Sequence, residues 1–336
     1  MKLIVQIPCF NEADNIADVI RSIPKRVDGI AKIEILIIDD GSTDGTSEVA
    51  RKCGVEHIIT NQGNKGLAYS FRRGIEECLR LHADIIVNTD GDNQYNGADI
   101  PHLVKPIIEH KAEIVVGDRG GYSNTHFSVF KRCLQVSGGS FIIAKATGLD
   151  VKDAVSGFRA ISRSAAQQLN IVSDFSYTIE MLIQASAKRI GVVSVPIRTN
   201  EKTRESRLFK SIPQFLKMSL STLVRVYTMY RPLQVFLFIG SVAMICGVIP
   251  IMRFLYFFLN GAGEGHIQSL VLGGSTLLIL GFITLLMGGL VADLIGFNRK
   301  LTEKVLHRIE VLEEKLEHQE KLPTYQFETK RKRSGE

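Results

Sequence analysis

The 336-residue chain contains no tryptophan, which excludes every motif that needs one. Cysteine is sparse: Cys9, Cys53, Cys78, Cys133 and Cys246 are odd in number and form no CxxC pair. Neither a disulfide framework nor a zinc site is indicated, and reduced thiols in a cytosolic domain are expected. No secretory signal is expected in MKLIVQIPCFNE, because its apolar run is too short and leads straight into a turn. Charge is almost missing from residues 233–292, and the turn at 260–266 has no Lys or Arg. That turn contains GAGEGH, which has no third glycine at the right place and follows an apolar span, so it is not a dinucleotide loop.

The charge that is present is unevenly placed. The net charge is +6, with Lys and Arg concentrated at 188–231 and 299–333, on either side of the apolar stretch. Such flanking is expected of cytoplasmic helix ends, and it argues against nucleic acid as the partner. Residues 233–252 are charge-free and long enough to cross ~30 Å of hydrocarbon. Arg253 and the aromatic run at 254–258 suit the far interface, and 267–292 form the return span, followed by Arg299, Lys300 and Lys304. Both basic ends lie on one side. The expectation is a multi-pass protein of the cell (inner) membrane with its large domain in the cytoplasm. Gly240 and Gly247, and Gly274, Gly281 and Gly288, recur every seven residues and permit close helix packing in lipid. With Val305, Ile309, Leu312 and Leu316 at 4-3-4 spacing, they favour a homo-oligomer. Residues 211–232 place Ile212, Phe215, Leu216, Leu220 and Leu223 on one stripe, as in an amphipathic helix lying in the membrane interface, with a core helix of the soluble domain as the alternative. Residues 293–336 form a charged cytoplasmic helix and tail.

Before residue 210 the pattern is α/β. Apolar β-rich runs at 2–7, 34–38, 57–60, 83–88 and 113–116 alternate with helical spacing at 13–23, 46–53 and 67–81. Further helices are expected at 127–146 and 173–187, and a last strand at 192–197. This alternation predicts a mostly parallel sheet with helices on both faces. Ligands bind such sheets at the carboxyl ends of the strands. The polar clusters stand there: 9–12, 39–44, 90–94 and 117–119.

Asp90-Gly91-Asp92 follows the strand IIVNTD. Two carboxylates one residue apart can share a hard divalent cation, Mg²⁺ or Mn²⁺, with substrate phosphates completing its oxygen shell. Gln94 adds a neutral carbonyl. The segment DDGSTDGT at 39–46 ends another buried strand, where carboxylates can bind ribose or a base, and Asp44 and Thr46 are expected to cap the next helix.

As a set, these segments resemble family-2 glycosyltransferases, in particular the dolichyl- or polyprenyl-phosphate sugar transferases. The resemblance covers IPCFNEADNI, EILIIDDGSTDGT, NQGNKGLAYSFRRGI, NTDGDNQY, IVVGDR, DAVSGFRAISR and TRESRLFKS, across about residues 1–210. Phe10 stands where the family usually has Tyr, and Gly91 where it has Ala.

The resemblance implies a GT-A type nucleotide-sugar-binding domain over 1–210, with an interfacial helix and a two-helix transmembrane hairpin after it. It implies that Pro8, Phe10, Glu12, Ile38, Asp40 and Ser42 hold the nucleoside, that Lys65 approaches the phosphates or the base, and that Asp90 with Gly91 contacts the donor. Asp90, Asp92 and Gln94 would hold Mg²⁺ or Mn²⁺. Arg119, Arg132, Arg204, Ser206 and Arg207 would receive a lipid phosphate, and Asp153 heads a loop over the sugar, as structure or as a base. His126 is read as incidental, and Tyr177 with Glu180 as either core or acceptor-facing. The implied reaction is inverting transfer from a UDP- or GDP-sugar to a polyprenyl phosphate, with the bilayer as partner. A polysaccharide synthase would carry a Q-x-x-R-W motif, which a chain without Trp cannot have. Transfer to another membrane lipid and an inactive membrane scaffold are the remaining alternatives.

Overall fold

The computed structural model describes residues 1–120, 143–144, 147–172, 177–200, 228, 232–260 and 267–320. It divides into two compact units, Met1–Arg231 and Pro232–Glu336.

The first unit is built from strand β1 (Lys2–Cys9), helix α1 (Ile16–Ser22), β2 (Lys32–Asp39), α2 (Thr46–Lys52), β3 (His57–Thr60), α3 (Leu67–Arg80), β4 (Ile85–Asn88), α4 (Ile100–Ile108), β5 (Ile114–Asp118), β6 (Arg159–Ser162), α5 (Arg163–Gln168), α6 (Tyr177–Lys188) and β7 (Val192–Pro196). The sheet has seven strands in the order β3-β2-β1-β4-β6-β5-β7. All neighbours are parallel except β6, which runs antiparallel between β4 and β5. The mostly parallel expectation holds, with one reversed strand near the middle. Its sequence, RAIS, carries no mark of its neighbours, because its partners are set by long-range pairing.

Alternation along the strands divides the core in two. Leu3, Val5 and Ile7 pack on one face with α1 and α4 residues such as Ile16, Val19, Leu103 and Val104. Ile4, Leu36 and Ile38 pack on the other with Phe71 and Ile75 of α3 and Met181 and Leu182 of α6. Full burial of each such side chain contributes about 1.5–3 kcal/mol. Burial on both faces is why these strands read as nearly continuous apolar runs.

The edge where β1 and β2 begin is held by charge. Glu34, with its side chain 7% exposed, meets Lys2 Nζ at 2.8 Å, Lys32 Nζ at 2.6 Å and His57 Nε2 at 3.0 Å. Burial pushes the Glu34 carboxyl up, but hydrogen bonds and charge from Lys2 and Lys32 outweigh it and hold the group at about 2. A carboxyl depressed on folding stabilises above its unfolded value and loses that contribution as pH falls toward the folded one. Glu34→Gln is therefore expected to lower Tm most above pH 4.5, with the deficit shrinking as pH falls toward 2. Thermal unfolding of both proteins across that range checks this, and a deficit independent of pH contradicts it.

The second unit is a helical hairpin of α7 (Pro232–Leu259) and α8 (Ile267–Glu320). Both contain stretches long and apolar enough to cross a membrane, Leu233–Phe257 and Val271–Gly296. Helix α8 continues past the apolar stretch through the charged segment as far as Glu320. The seven-spaced glycines lie where the two helices meet. A Cβ on Gly247 would be 2.8 Å from Gly274 O, one on Gly281 3.0 Å from Gly240 O, and one on Gly288 2.6 Å from a Phe236 ring carbon. The close-packing surface expected to favour self-association is thus used within the hairpin. Val305 and Ile309 remain exposed. The expected turn at 261–266, most of the interfacial helix and most of the helix at 127–146 lie outside the described residues.

Candidate active site

Four loops meet at the carboxyl edge of the sheet, where β1, β2, β4 and β5 end. The first two are laced together. Asn11 N donates to Ser42 Oγ at 2.9 Å, Thr43 N to Asn11 Oδ1 at 2.9 Å, and Glu12 N to Thr46 Oγ1 at 2.9 Å. Asp44 accepts from Ala13 N and Thr46 N, each at 3.0 Å. The expected capping is met in part. Asp44 Oδ1 takes Thr46 N, the first N–H of α2, while the N-cap position itself is Gly45 at φ 86° without a side-chain cap. Asp44 and Thr46 also brace the two loops.

The Asp39-Asp40 pair is buried and engaged. Asp39 accepts from Ser42 N at 2.8 Å and from the Ser47 hydroxyl. Asp40 accepts from Asn61 Nδ2 at 2.7 Å, Lys65 N at 2.9 Å and Gly66 N at 2.8 Å. Its carboxylate therefore holds the loop 61–66, and with it the exposed Lys65, against the end of β2. Gly41 is required where these loops cross: at φ 78°, a Cβ would stand 2.7 Å from the Gly63 backbone. Pro8 and Ile38 are buried in the strand ends, Glu12 is buried, and Phe10 and Ser42 are half-buried beside these loops.

The third loop carries Asp90, Gly91, Asp92 and Gln94. Beneath it runs a buried polar chain. Gln6 and Asn88 are paired in register on β1 and β4. Gln6 Nε2 donates to Asn88 Oδ1 at 2.9 Å, and Asn88 Nδ2 donates to Gly157 O at 2.8 Å and Tyr177 Oη at 3.1 Å. Gly157 N donates to Tyr95 Oη at 2.9 Å. These bonds press the 153–158 loop against Asp90 so closely that a Cβ on Gly157 would stand 3.1 Å from both Asp90 carboxylate oxygens. Gly91 backs onto Cys9, where a Cβ would meet the Cys9 Cβ at 3.0 Å. Tyr177 is core, stacked on Phe71 at 3.9 Å, and Glu180 accepts from Val172 N at 3.0 Å and Gln184 Nε2 at 3.1 Å.

Asp90 Oδ1 is buried and has no hydrogen-bond partner. Burial, then the Asp92 charge, push the Asp90 carboxyl up to about 7, with Arg119 acting in the opposite sense. Asp92 Oδ1 accepts from Gln94 N at 3.1 Å, which fixes the turn between the two. No cluster of three or more His, Cys, Asp or Glu suited to a metal exists among the described residues. That donor set fits Mg²⁺ or Mn²⁺ better than zinc, because such cations take one or two carboxylates and complete their shell with substrate phosphates and water. A cation beside Asp90 would also supply the partner that its buried oxygen lacks.

The fourth loop follows β5. Arg119 donates from Nε to Asp153 Oδ2 at 2.6 Å and from Nη2 to Asp153 Oδ1 at 3.0 Å, with both side chains 9% exposed. Burial works against the Arg119 charge, but Tyr95 and Asp153 outweigh it and raise the group above its ordinary value. Arg159, wholly buried on β6, donates to the carbonyls of Ser156 at 2.8 Å, Thr178 at 2.8 Å and Ala154 at 2.7 Å. It clamps the Asp153 loop onto the start of α6. The structure thus gathers Asp90, Asp92, Gln94, Arg119 and Asp153 around Gly157 and Tyr95. Arg132, Arg204, Ser206, Arg207 and His126 lie outside the described residues.

Asn88, Tyr95, Gly157 and Arg159 fall within the segments NTDGDNQY and DAVSGFRAISR, but the sequence gives them no individual role. A further signal for Asn88 is the pair of polar residues, Gln6 and Asn88, inside otherwise apolar strands. For Arg159 the signal is its place in the DAVSGFR segment, since a strand arginine by itself reads as surface.

Residues 4–169 match the family described as Glycosyl transferase family 2. The chain is 32% identical to the glycosyltransferase AglJ of Haloferax volcanii, over 56% of this chain and 60% of that protein, so it spans under two thirds of that relative. It is 32% identical to an uncharacterized protein of Methanocaldococcus jannaschii, over 59% of this chain and 81% of the other. It is 24% identical to the dodecaprenyl-phosphate galacturonate synthase of Rhizobium johnstonii, over 88% of each chain. Among solved structures it is similar to the glucosyl-3-phosphoglycerate synthase of Mycobacterium tuberculosis in complex with Mn²⁺ and UDP-glucose, at TM-score 0.51 and 21% identity, over 67% of this chain and 78% of that one. That likeness concerns the fold. The chain belongs to glycosyl transferase family 2, built on a GT-A-like mixed sheet.

Proposed function

We propose that this protein transfers a sugar, with inversion, from a UDP- or GDP-sugar to a polyprenyl phosphate at the cytoplasmic face of the cell membrane. The product is a polyprenyl-phosphate-linked sugar for envelope glycan or glycoconjugate assembly. A phosphate oxygen of the acceptor attacks the anomeric carbon, and the bond from that carbon to the nucleoside diphosphate breaks. The observation that carries this reading is the Arg119–Asp153 pair. A hydroxyl acceptor needs a general base, and both oxygens of Asp153 are already engaged by Arg119. A phosphate acceptor arrives anionic, with a second pKa of about 6. It needs held positive charge, which Arg119, Arg132, Arg204 and Arg207 would supply, with the Ser206 hydroxyl donating a hydrogen bond.

On this reading the β1 and β2 loops receive the nucleoside through Pro8, Phe10, Glu12, Ile38 and Ser42. Asp40 acts by holding the 61–66 loop, which presents Lys65 to the donor. Asp90, Asp92 and Gln94 would hold Mg²⁺ or Mn²⁺, which neutralises charge on the departing diphosphate. The relative that matches over 88% of both chains is named for a polyprenyl-phosphate product, which supports the acceptor class. The two apolar spans and their basic flanks support a multi-pass membrane protein with a cytoplasmic domain.

The test offers the purified full chain a panel of UDP- and GDP-sugars with undecaprenyl or dolichyl phosphate, reading labelled lipid. The expected result is one preferred donor, with transfer stopped by EDTA and restored by Mn²⁺ or Mg²⁺. Absence of labelled lipid phosphate with every donor, or labelling of diacylglycerol instead, would overturn the reading.

A further inference from the structure

The loop that carries Asp92 and Gln94 turns through Asn93, which adopts a left-handed φ of 57°. Left-handed backbone is unfavourable for any residue with a Cβ, and Asn tolerates it best. A separate segment, just after β7, is fastened across this turn. Asn200 Nδ2 donates to Asn93 O at 3.0 Å, to Asn93 Oδ1 at 3.3 Å and to Tyr95 O at 3.4 Å. Asn200 N donates to Gln94 O at 3.0 Å, and Thr199 forms an antiparallel bridge with Tyr95. Below it, Arg198 grips the buried Asp99, with N on Oδ2 at 2.7 Å, Nε on Oδ1 at 2.9 Å and Nη2 on Oδ1 at 2.6 Å. Asp99 lies in the short 3₁₀ turn that leads into α4.

This amounts to a clasp. The ion pair fixes the segment 198–200, and Asn200 then satisfies the carbonyls on both sides of Gln94. One primary amide, with two donor hydrogens, serves three acceptors: Asn93 O, Asn93 Oδ1 and Tyr95 O. A loop that merely needed covering would not need its left-handed residue bound from outside through both its main chain and its side chain.

We infer that Asn200 is a positioning residue for the cation site: it stabilises the left-handed Asn93 and thereby sets the spacing of Asp92 and Gln94. The inference rests on the reading of Asp90, Asp92 and Gln94 as metal ligands. Groups that orient ligands without touching the metal typically govern about ten- to a hundredfold of its affinity.

The experiment is a Mn²⁺ titration of the detergent-purified full chain, followed by electron paramagnetic resonance, in the presence of UDP and, in parallel, GDP. The proteins are the wild type, Asn200→Ala, Asn93→Gly and the double variant. Asn200→Ala is expected to weaken Mn²⁺ binding by about ten- to a hundredfold. Asn93→Gly alone binds as wild type, because glycine adopts the left-handed turn without strain. In the double variant that relief restores most of the affinity. Thermal unfolding without metal separates this from general instability: recovery of Mn²⁺ affinity without a matching recovery of Tm supports positioning. Wild-type affinity in Asn200→Ala overturns the inference and leaves the metal reading standing. A loss that persists in the double variant overturns it as well, by making Asn200 a general brace. If the wild type binds no Mn²⁺ with either nucleotide, the metal reading itself fails and the inference falls with it.

Discussion

Asp90→Asn is expected to abolish transfer, by on the order of a thousandfold or more in kcat/KM, while the protein without metal becomes no less stable. The two halves of this result follow from one observation. Asp90 Oδ1 is buried without a partner, and burial together with Asp92 raises the carboxyl to about 7. A carboxylate placed there costs folding free energy unless a cation answers it. The amide has nearly the same shape and no charge, so it removes that cost. It also removes one of two carboxylates from a set that has no third acidic or thiol ligand among the described residues. The wild type should therefore gain thermal stability from Mn²⁺ with nucleotide, and the variant should gain little, since a ligand stabilises only the state that binds it. The measurement is transfer to lipid phosphate alongside thermal unfolding with and without Mn²⁺. Wild-type turnover by Asp90→Asn would remove Asp90 from the machinery. A large drop in metal-free Tm would show that the carboxylate serves the fold.

Much of this site is legible in the sequence because its parts are local. Strand, polar cluster and helix follow one another along the chain, so the loops at 9–12, 39–46 and 90–94 fall at the carboxyl edge as soon as the sheet is taken to be parallel. What is not legible is whatever depends on distant pairing. Strand β6 reverses direction between β4 and β5, and that reversal brings Gly157 and the Asp153 loop under Asp90. Arg159 belongs to the same class: three main-chain carbonyls replace the solvent a strand arginine would otherwise require. Asp40 shows a subtler limit. Its place at the carboxyl end of β2 is readable, but its use as an acceptor for Asn61, Lys65 and Gly66 is not. The glycines of the hairpin announce close packing, and only the structure says that the partner is the other helix of the same chain.

Arg119→Ala is expected to cut transfer by about 10²–10³-fold, with little change in nucleotide affinity. It should also destabilise the protein by about 3–5 kcal/mol, because it strands the buried Asp153 carboxylate. The stability loss complicates any reading of the single variant, and the bidentate geometry shows how to remove the complication. Arg119 and Asp153 engage each other through two hydrogen bonds at 2.6 and 3.0 Å, so deleting both side chains leaves no uncompensated charge from either. The double variant Arg119→Ala/Asp153→Ala should regain most of the lost stability, since neighbours sharing one interaction are strongly non-additive. It should not regain transfer, because the acceptor phosphate still lacks its cation. Asp153→Asn completes the set: it keeps a hydrogen-bond acceptor for the guanidinium and should retain measurable transfer. The measurements are thermal unfolding, nucleotide binding and transfer at varied lipid phosphate. Recovery of transfer in the double variant would mean that Arg119 serves only to neutralise Asp153. Collapse of transfer in Asp153→Asn, with stability and nucleotide binding intact, would instead make Asp153 a base. The acceptor would then be a hydroxyl, since a phosphate that arrives ionised has no proton for a base to take.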